Sequence, residues 1–342
     1  MTSTTADTGR LHLAAGSEEL AELLDRIYSP VEEELGRVKT HLLSLDGSPP
    51  RFLDELLEHV LQPTGKRLRP AVTLLASKLH SGDGRNAEIM AAAVELLHIA
   101  SMVHDDTVDN SYIRRGKATV NRVWGRNAAV LVGDYVFAIS ATVVCDTGNI
   151  RVIRRFAEAI MDLSAGELNE IASAYSLSQT RDDYFQRIYQ KTASLFSTAA
   201  EAGAALSGAP EDTAKAMERF GRNLGLAFQI VDDILDFDAI GDEIGKPVGS
   251  DLAQGIMTLP VIIAVERGGP DGPLARFLGG SGKVGRTEEA VAAVQDPAVI
   301  NESYEIAARY SDEAIESLAT IKSSPARDAL EAVASYALHR RS

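Results

Sequence analysis

Residues 97–116, LHIASMVHDDTVDNSYIRRG, carry the pattern from which the fold and the chemistry of this chain are best inferred. An apolar run from Leu97 to Val103 leads directly to three carboxylates, Asp105, Asp106 and Asp109. On a helix, Asp105 and Asp109 share one face because they are four residues apart. Two carboxylates about 4 Å apart repel by roughly 4 kcal/mol at an effective dielectric constant of about 20. A helix end with this repulsion is either fully solvated or built to hold cations.

The same DDxxD spacing recurs later in the chain, at Asp232, Asp233 and Asp236. Acidic runs are usually solvated faces or helix ends. Here, however, both motifs follow strongly apolar stretches, VELLHIASMVHDD and GLAFQIVDD, and basic residues follow at short range: Arg114, Arg115 and Lys246. Carboxylate oxygens favour a hard ion such as Mg²⁺, which binds one or two carboxylates together with substrate phosphates. The pair of motifs therefore predicts a clamp for a diphosphate bridged by magnesium.

The composition and the spacing of apolar residues predict an all-α fold. Of the 342 residues, 45% are hydrophobic and 6% aromatic, and nearly every segment shows helical rather than alternating periodicity. The predicted helices cover about 17–44, 52–61, 70–81, 86–108, 126–146, 150–174, 182–207, 211–237, 258–267, 301–321 and 325–339. We predict one helical domain over residues 1–342, with a loose tail at 1–16 and a surface connection at 268–299.

Charge and cysteine content exclude several classes of protein. A net charge of −15 argues against nucleic acid as a partner, because no basic face could dominate the electrostatic field. Cys145 is the sole cysteine, which excludes an internal disulfide and suits a reducing cytoplasm; its apolar surroundings predict a buried side chain. The first residues lack the apolar core of a signal peptide. The stretch 128–144 is the most apolar later stretch, but it contains Asp134 and is predicted not to form a membrane span.

A second basic group, GKRLRP, occupies residues 65–70. Pro70 suits the first turn of a helix, and Lys66 and Arg69 would then lie near a helix N-terminus, which attracts phosphate. The group is either a phosphate site or an ordinary surface turn. His98, two turns before Asp105, is either a core histidine or part of the same site, depending on whether the basic group reaches it.

The series of motifs, taken in order, resembles the trans-isoprenyl diphosphate synthases of the polyprenyl synthetase family, and among them the medium- and long-chain all-trans polyprenyl diphosphate synthases. The resemblance runs through GKRLRP at 65–70, HDDTVDNSYIRRGKATVN at 104–121, GDY at 133–135, KTASLF at 191–196, FQIVDDILD at 228–236, GKPVGSDL at 245–252 and TLP at 258–260. Such a series is far more specific than any one motif. It implies the isoprenoid synthase fold, a helical bundle around a central apolar cavity, and a homodimer with helices near 126–146 in the contact.

The resemblance also implies a role for each matching residue. The ligands of Mg²⁺ would be Asp105, Asp109 and Asp232, with further ligation or support from Asp106, Asp233 and Asp236. The allylic diphosphate would be bound by Arg114, Lys191 and Lys246. The diphosphate of isopentenyl diphosphate would be bound by Lys66, Arg69, His98 and Arg115. The residues facing the reacting carbons would be Thr192 and Gln229.

The expected reaction is ionisation, condensation and elimination. Metal ions and fixed cationic side chains stabilise the negative charge that develops on the departing diphosphate. The isopentenyl double bond attacks the allylic cation, and the released diphosphate accepts the proton that leaves. A lipid product would then be handed to a membrane.

The residues before Asp105 bear on the length of the product. Ala100 and Ser101 lie about one turn, or about 5.4 Å, deeper along the helix. Short-chain members of the family tend to place an aromatic residue there, whereas both residues are small in this chain. We therefore expect an open groove and a product from hexaprenyl to decaprenyl diphosphate. Phe156 is either a deeper floor of the groove or an ordinary core side chain.

The chain departs from the family pattern at two positions. Thr64 replaces the first glycine of GGKRxRP, and Ile256 replaces a lysine that helps to hold diphosphate in short-chain members. The nearest alternative is a geranylgeranyl or farnesyl diphosphate synthase with a shallower groove. A terpene cyclase is disfavoured by the second DDxxD motif, and a non-catalytic synthase subunit is disfavoured because the aspartates and the GKR group are all present.

Overall fold

A computed structural model describes residues 17–43, 51–61, 65–82, 84–114, 116–237, 248–279 and 287–339. Within these residues the chain is almost entirely helical, which confirms the predicted fold class. The helices are α1 (Ser17–Tyr28), α2 (Glu32–Leu43), α3 (Arg51–Leu61), α4 (Leu68–Ser77), α5 (Gly84–Val108), α6 (Val120–Trp124), α7 (Arg126–Cys145), α8 (Ile150–Ser173), α9 (Arg181–Ile188), α10 (Ser194–Leu206), α11 (Glu211–Leu235), α12 (Ser250–Ala253), α13 (Leu259–Gly268), α14 (Pro273–Gly279), α15 (Thr287–Val294), α16 (Pro297–Ser317) and α17 (Pro325–His339). The predicted tail at 1–16 lies outside the described residues, and the single domain over 1–342 stays a prediction.

Two of the predicted helices are interrupted in the structure. The first is divided into α1 and α2 by a short 3₁₀ helix, Ser29–Val31, because Pro30 cannot donate the backbone hydrogen bond that an α-helix requires. The predicted helix 182–207 contains a π-helical segment, Tyr189–Ala193, between α9 and α10. Such π turns occur frequently at functional sites, and this one carries Lys191 and Thr192.

The core consists of two clusters of buried side chains that meet along α11. The first lies among α1 to α8, α10 and α17 and includes Phe196 and Phe220. The second lies among α9, α13, α14, α15 and α16 and includes Tyr184 and Ile230. Phe220 and Ile230 both belong to α11, so this helix is packed on both sides before it reaches the second aspartate motif.

The prediction of a surface connection at 268–299 is wrong for the described part of that segment. It forms α14 and α15 and the start of α16, and it buries apolar side chains against the second cluster, including Leu274, Phe277 and Val294. The glycines and prolines that suggested a connection mark the ends of short helices.

Of two expectations about the region after Gly125, one is wrong and the other stays a prediction. Cys145 is exposed, because it lies at the end of α7 on the side away from the core. In addition, α7 is long and apolar enough to cross a membrane by length and composition, as is α5; the most apolar windows of these helices are 39% and 61% buried within the structure. A core helix passes the same test, and α5 is such a helix. The exposed apolar side of α7 needs a separate explanation.

One short hairpin interrupts the helical pattern of the described residues. Ile113–Arg114 pairs in antiparallel fashion with Lys117–Ala118, directly after the first aspartate motif. Asn110 adopts a left-handed conformation (φ 50°) where α5 ends, which allows the chain to turn back toward the helix. The hairpin thus brings Arg114 back to the aspartates.

Candidate active site

The first aspartate motif ends α5. Asp105 and Asp106 lie in its last turn, and Asp109 continues that turn through a hydrogen bond from its amide to the Asp105 carbonyl (2.8 Å). Asp106 is buried, and its Oδ1 accepts a hydrogen bond from Arg114 Nε at 2.6 Å. Arg114 is therefore already paired with a carboxylate of the motif that it follows.

The second aspartate motif ends α11, and its members are held from two directions. Asp233 is buried; its Oδ2 accepts a hydrogen bond from the Tyr184 hydroxyl (2.6 Å) and its Oδ1 one from Gln229 Nε2 (2.8 Å). Asp236 accepts hydrogen bonds from the Ser250 hydroxyl (2.7 Å) and the Asp251 amide (3.2 Å). Asp236 therefore fixes the start of α12. The remaining member of the motif, Asp232, is partly buried.

The two motifs face a common cleft. This cleft has a volume of about 100 Å³, and its lining includes Asp109 from the first motif and Asp233 from the second. Between them lie Lys191 and Thr192 of the π segment, and the Thr192 hydroxyl donates to Gln229 Oε1 at 2.6 Å. The structure thus brings together the two motifs, as their spacing predicted.

Two glycines allow the π segment to approach its neighbours closely. A Cβ at Gly225 of α11 would lie 2.4 Å from Ala193 Cα, and a Cβ at Gly166 of α8 would lie 2.8 Å from the Lys191 amide nitrogen. Any larger residue at either position would therefore displace the π segment that carries Lys191 and Thr192.

Lys191 is held by two carboxylates of α8 that the sequence analysis did not identify. Its Nζ lies 2.5 Å from Glu170 Oε1 and 2.9 Å from Glu167 Oε2. Burial lowers the pKa of Lys191, but Glu170, Glu167 and Asp105 outweigh burial and hold that pKa above its ordinary value. The spacing of Glu167 and Glu170, three residues apart on one helix, is the only sequence signal for this pair, and it does not reveal which basic residue they face.

The electrostatics of the aspartates depart from those of a solvated surface. Burial raises the pKa of Asp105 to about 7; Lys191 and Arg114 lower it, while Glu167 and Asp109 raise it further. Burial also raises the pKa of Asp233 to about 8, against the hydrogen bonds from Tyr184 and Gln229. The cleft is therefore short of positive charge in the protein alone.

The GKRLRP group packs against α10 and α17. Arg69, in the first turn of α4, places its guanidinium 4.3 Å from the Phe196 ring centroid, and Lys66 Nζ lies 5.3 Å from that of Tyr336 in α17. The Tyr28 hydroxyl donates to the Lys66 carbonyl and lies near Glu95. Because Glu95 is one turn before His98 on α5, the basic group does reach the helix that carries His98.

Arg115 and Lys246 lie outside the described residues. The chain-length candidates are all described: Ala100 and Phe156 are buried in the first core cluster, and Ser101 is partly buried, its hydroxyl donating to the His98 carbonyl at 2.9 Å.

The donor set of the cleft fits a hard divalent ion that is completed by a substrate. The candidate ligands are carboxylate oxygens, and Asp105 lies among like charges that a cation would relieve. Among the described residues, no three side chains of His, Cys, Asp or Glu already converge into a metal cage. Mg²⁺ fits the carboxylate donor set itself, because it prefers oxygen ligands and draws others from water and phosphates.

Comparisons with known proteins agree with this geometry. The family model described as polyprenyl synthetase matches residues 50–294. Heptaprenyl diphosphate synthase component 2 of Geobacillus stearothermophilus is 36% identical over 92% of this chain and 98% of that protein. A polyprenyl synthase from Caulobacter crescentus, solved in complex with calcium and isoprenyl diphosphate, is 33% identical over 93% of this chain and 98% of that one, with a TM-score of 0.88. A decaprenyl diphosphate synthase from Rhodobacter capsulatus is 36% identical over 92% of this chain and 98% of that one, with a TM-score of 0.86. The chain belongs to the polyprenyl synthetase family and is a prenyltransferase.

Proposed function

We propose that this chain is an all-trans polyprenyl diphosphate synthase, which adds isopentenyl diphosphate units to an allylic diphosphate and releases a product from hexaprenyl to decaprenyl diphosphate. The observation that carries the proposal is the single cleft onto which Asp109, Asp233, Lys191 and Thr192 open from three elements of the fold. The similarity to heptaprenyl and decaprenyl synthases supports the range of chain lengths.

In this proposal Asp105, Asp109 and Asp232 hold Mg²⁺. Asp106, Asp233 and Asp236 add further ligation or support. They accept hydrogen bonds from Arg114, Tyr184, Gln229, Ser250 and the Asp251 amide, which orient these carboxylates. The ion, when bound, would offset the charge of the departing diphosphate.

The side chains of the protein bind and orient the substrates. Arg114 and Lys191 bind the allylic diphosphate, together with Lys246. Thr192 and Gln229 form a hydrogen-bonded pair that lines the cleft, and in this proposal their oxygen dipoles stabilise the allylic cation. Lys66, Arg69 and His98, with Arg115, bind the diphosphate of isopentenyl diphosphate.

Product length would be set by the wall below the first motif. Ala100 and Ser101 add little volume one turn beneath Asp105, and Phe156 is a buried aromatic of the same core cluster. If Phe156 is the deeper floor, replacing it with Ala lengthens the products on chromatography. If Phe156 is only a core side chain, this variant loses stability by about 3–5 kcal/mol and its products keep their length.

The exposed apolar side of α7 supports a homodimer. Leu131 is 68% exposed on α7, and Met161 and Leu168 of α8 are 70% and 66% exposed, which is more apolar surface than an isolated helix pair usually leaves uncovered. Leu131→Glu should therefore convert a dimer into monomers in analytical ultracentrifugation, whereas Lys322→Glu, a change at an exposed site near the end of α16, should not. A wild-type chain that sediments as a monomer would contradict the homodimer.

The proposal is tested by incubating the purified chain with labelled isopentenyl diphosphate, Mg²⁺ and each allylic starter in turn. We expect elongation by the chain alone, with products of six to ten isoprene units. Products that stop at farnesyl or geranylgeranyl diphosphate would favour the shorter-chain alternative. No turnover without a second protein would favour a synthase subunit, a role compatible with the name of the Geobacillus relative, which is a component.

A further inference from the structure

Arg187 of α9 lines the same cleft, and two of its three guanidinium nitrogens donate hydrogen bonds within the protein. Its side chain is only 4% exposed. Nη1 donates to Gln179 Oε1 at 2.6 Å and Nη2 donates to the Met257 carbonyl at 2.7 Å. Nε is buried and has no hydrogen-bond partner in the structure. A buried donor of this kind carries a cost that a partner would remove.

The carboxylate nearest to Arg187 Nε belongs to Glu170, which lies between Arg187 and Lys191. Glu170 Oε2 lies 3.7 Å from Arg187 Nε, too far for a hydrogen bond. Glu170 Oε1 lies 2.5 Å from Lys191 Nζ. The carboxylate is therefore bonded to Lys191 and stands within about 1 Å of a normal hydrogen-bond distance to Arg187.

This arrangement matters because Lys191 Nζ is already paired with Glu167 and Glu170, so a diphosphate would compete with Glu170 for the positive charge of Lys191. If Lys191 Nζ turns toward a diphosphate, Glu170 is left as an enclosed carboxylate, with only 14% of its side chain exposed. Removing one partner of a buried ion pair is costly. A second cation already beside Glu170 reduces that cost.

We propose that Arg187 is a positioning residue, which takes over Glu170 through its Nε when Lys191 turns to the allylic diphosphate. The inference rests on the proposed function, because it requires Lys191 to bind that substrate. The two Nη bonds fix the guanidinium plane, so a small movement of Glu170 is enough to complete the third bond. Arg187 itself does not touch the substrate.

The decisive variant is Arg187→Leu, compared with Arg181→Leu, a control on the same helix whose partners, Glu266 and Glu302, lie on α13 and α16. We expect Arg187→Leu to lower kcat/KM for the allylic diphosphate at least tenfold, as roughly expected for one hydrogen bond to a charged group. The KM for isopentenyl diphosphate should not change, since that site lies elsewhere. Circular dichroism and thermal unfolding establish that the variants are folded.

The double variant Glu170→Gln/Arg187→Leu distinguishes this role from a purely structural one. The neutral amide that Glu170→Gln introduces releases Lys191 without help, so the double variant should have an allylic kcat/KM within about threefold of Glu170→Gln alone. If Arg187→Leu does not fold, Arg187→Lys replaces it as the measurement: this variant keeps a cation beside Glu170 and should restore the allylic kcat/KM to within about threefold of the wild type.

Three outcomes would overturn the inference: an allylic kcat/KM of Arg187→Leu close to that of the wild type, an equal rise of KM for both substrates, or a double variant at least tenfold below Glu170→Gln. An inactive wild-type chain in the same assay would contradict the proposed function instead, so the two failures are distinguishable.

Discussion

Replacing Asp105 with Asn should stabilise the protein in the absence of metal. The pKa of Asp105 is raised from 3.8 to about 7, mainly because burial disfavours its charged form. A difference of about three pKa units corresponds to about 4 kcal/mol at 1.36 kcal/mol per unit. Because the carboxylate is partly exposed, solvent screens part of this cost. We therefore expect Asp105→Asn to raise the free energy of unfolding by about 1–3 kcal/mol at pH 8.

The dependence on pH follows from the direction of the shift. The folded protein binds the Asp105 proton more tightly than the unfolded chain, so this group contributes stability below about pH 4 that is lost as the pH rises through about 7. The difference in unfolding free energy between Asp105→Asn and the wild type should therefore be small at pH 4.5 and grow toward pH 8. Mg²⁺ with a diphosphate should reverse the order, because only the wild type gains binding energy from the ligand.

The assay is urea unfolding with a chelator at pH values from 4.5 to 8.5, monitored by circular dichroism. Asp312→Asn, at an exposed position of α16, serves as the control and should change the unfolding free energy by less than about 0.5 kcal/mol. A loss of stability in Asp105→Asn at pH 8, or a difference from the wild type that does not vary with pH, would show that burial does not penalise this carboxylate.

Three further predictions concern the walls of the site. Ala100→Phe should shorten the products on chromatography, and unchanged product lengths would rule out a groove beneath the first motif. Tyr184→Phe removes a hydrogen bond to the buried carboxylate of Asp233; it should cost about 1–3 kcal/mol in urea unfolding above pH 8, and an unchanged midpoint would contradict the importance of that bond. Gly225→Ala should lower kcat and cost about 1–3 kcal/mol, because its Cβ would meet the backbone of the π segment. Gly36→Ala, with open space around it, is the matched control for this change, and equal effects of the two glycine substitutions would refute the explanation by close approach.

The parts of the site that the sequence predicts are those encoded locally. An apolar run followed by DDxxD predicts a helix that ends at its carboxylates, and α5 and α11 do end at these motifs. Periodicity also identified the long helices, because each has one face that must be buried.

The parts that the sequence does not reveal depend on contacts between distant elements. Glu170 and Arg187 are separated by the loop between α8 and α9, and nothing in either local pattern indicates that they meet. The π segment depends on the absence of side chains at Gly166 and Gly225, which read as ordinary glycines within helical patterns. The short helices after Gly268 were missed for a related reason: their apolar residues are too few to show a period.

The pairing of the cations explains why this site should need a metal for substrate binding and not only for the chemical step. Arg114 is bonded to Asp106, and Lys191 lies between Glu167 and Glu170. Two of the three cations proposed for the allylic diphosphate are therefore neutralised before it arrives, while Asp105 and Asp109 add negative charge. A bare diphosphate would meet net repulsion, whereas one that carries Mg²⁺ brings the positive charge that the aspartates lack and allows Lys191 to exchange Glu170 for a phosphate oxygen. The affinity for an allylic diphosphate, measured by calorimetry without turnover, should accordingly be very weak in the presence of a chelator and recover on addition of Mg²⁺; equal affinity in both conditions would show that Arg114 and Lys191 are sufficient alone.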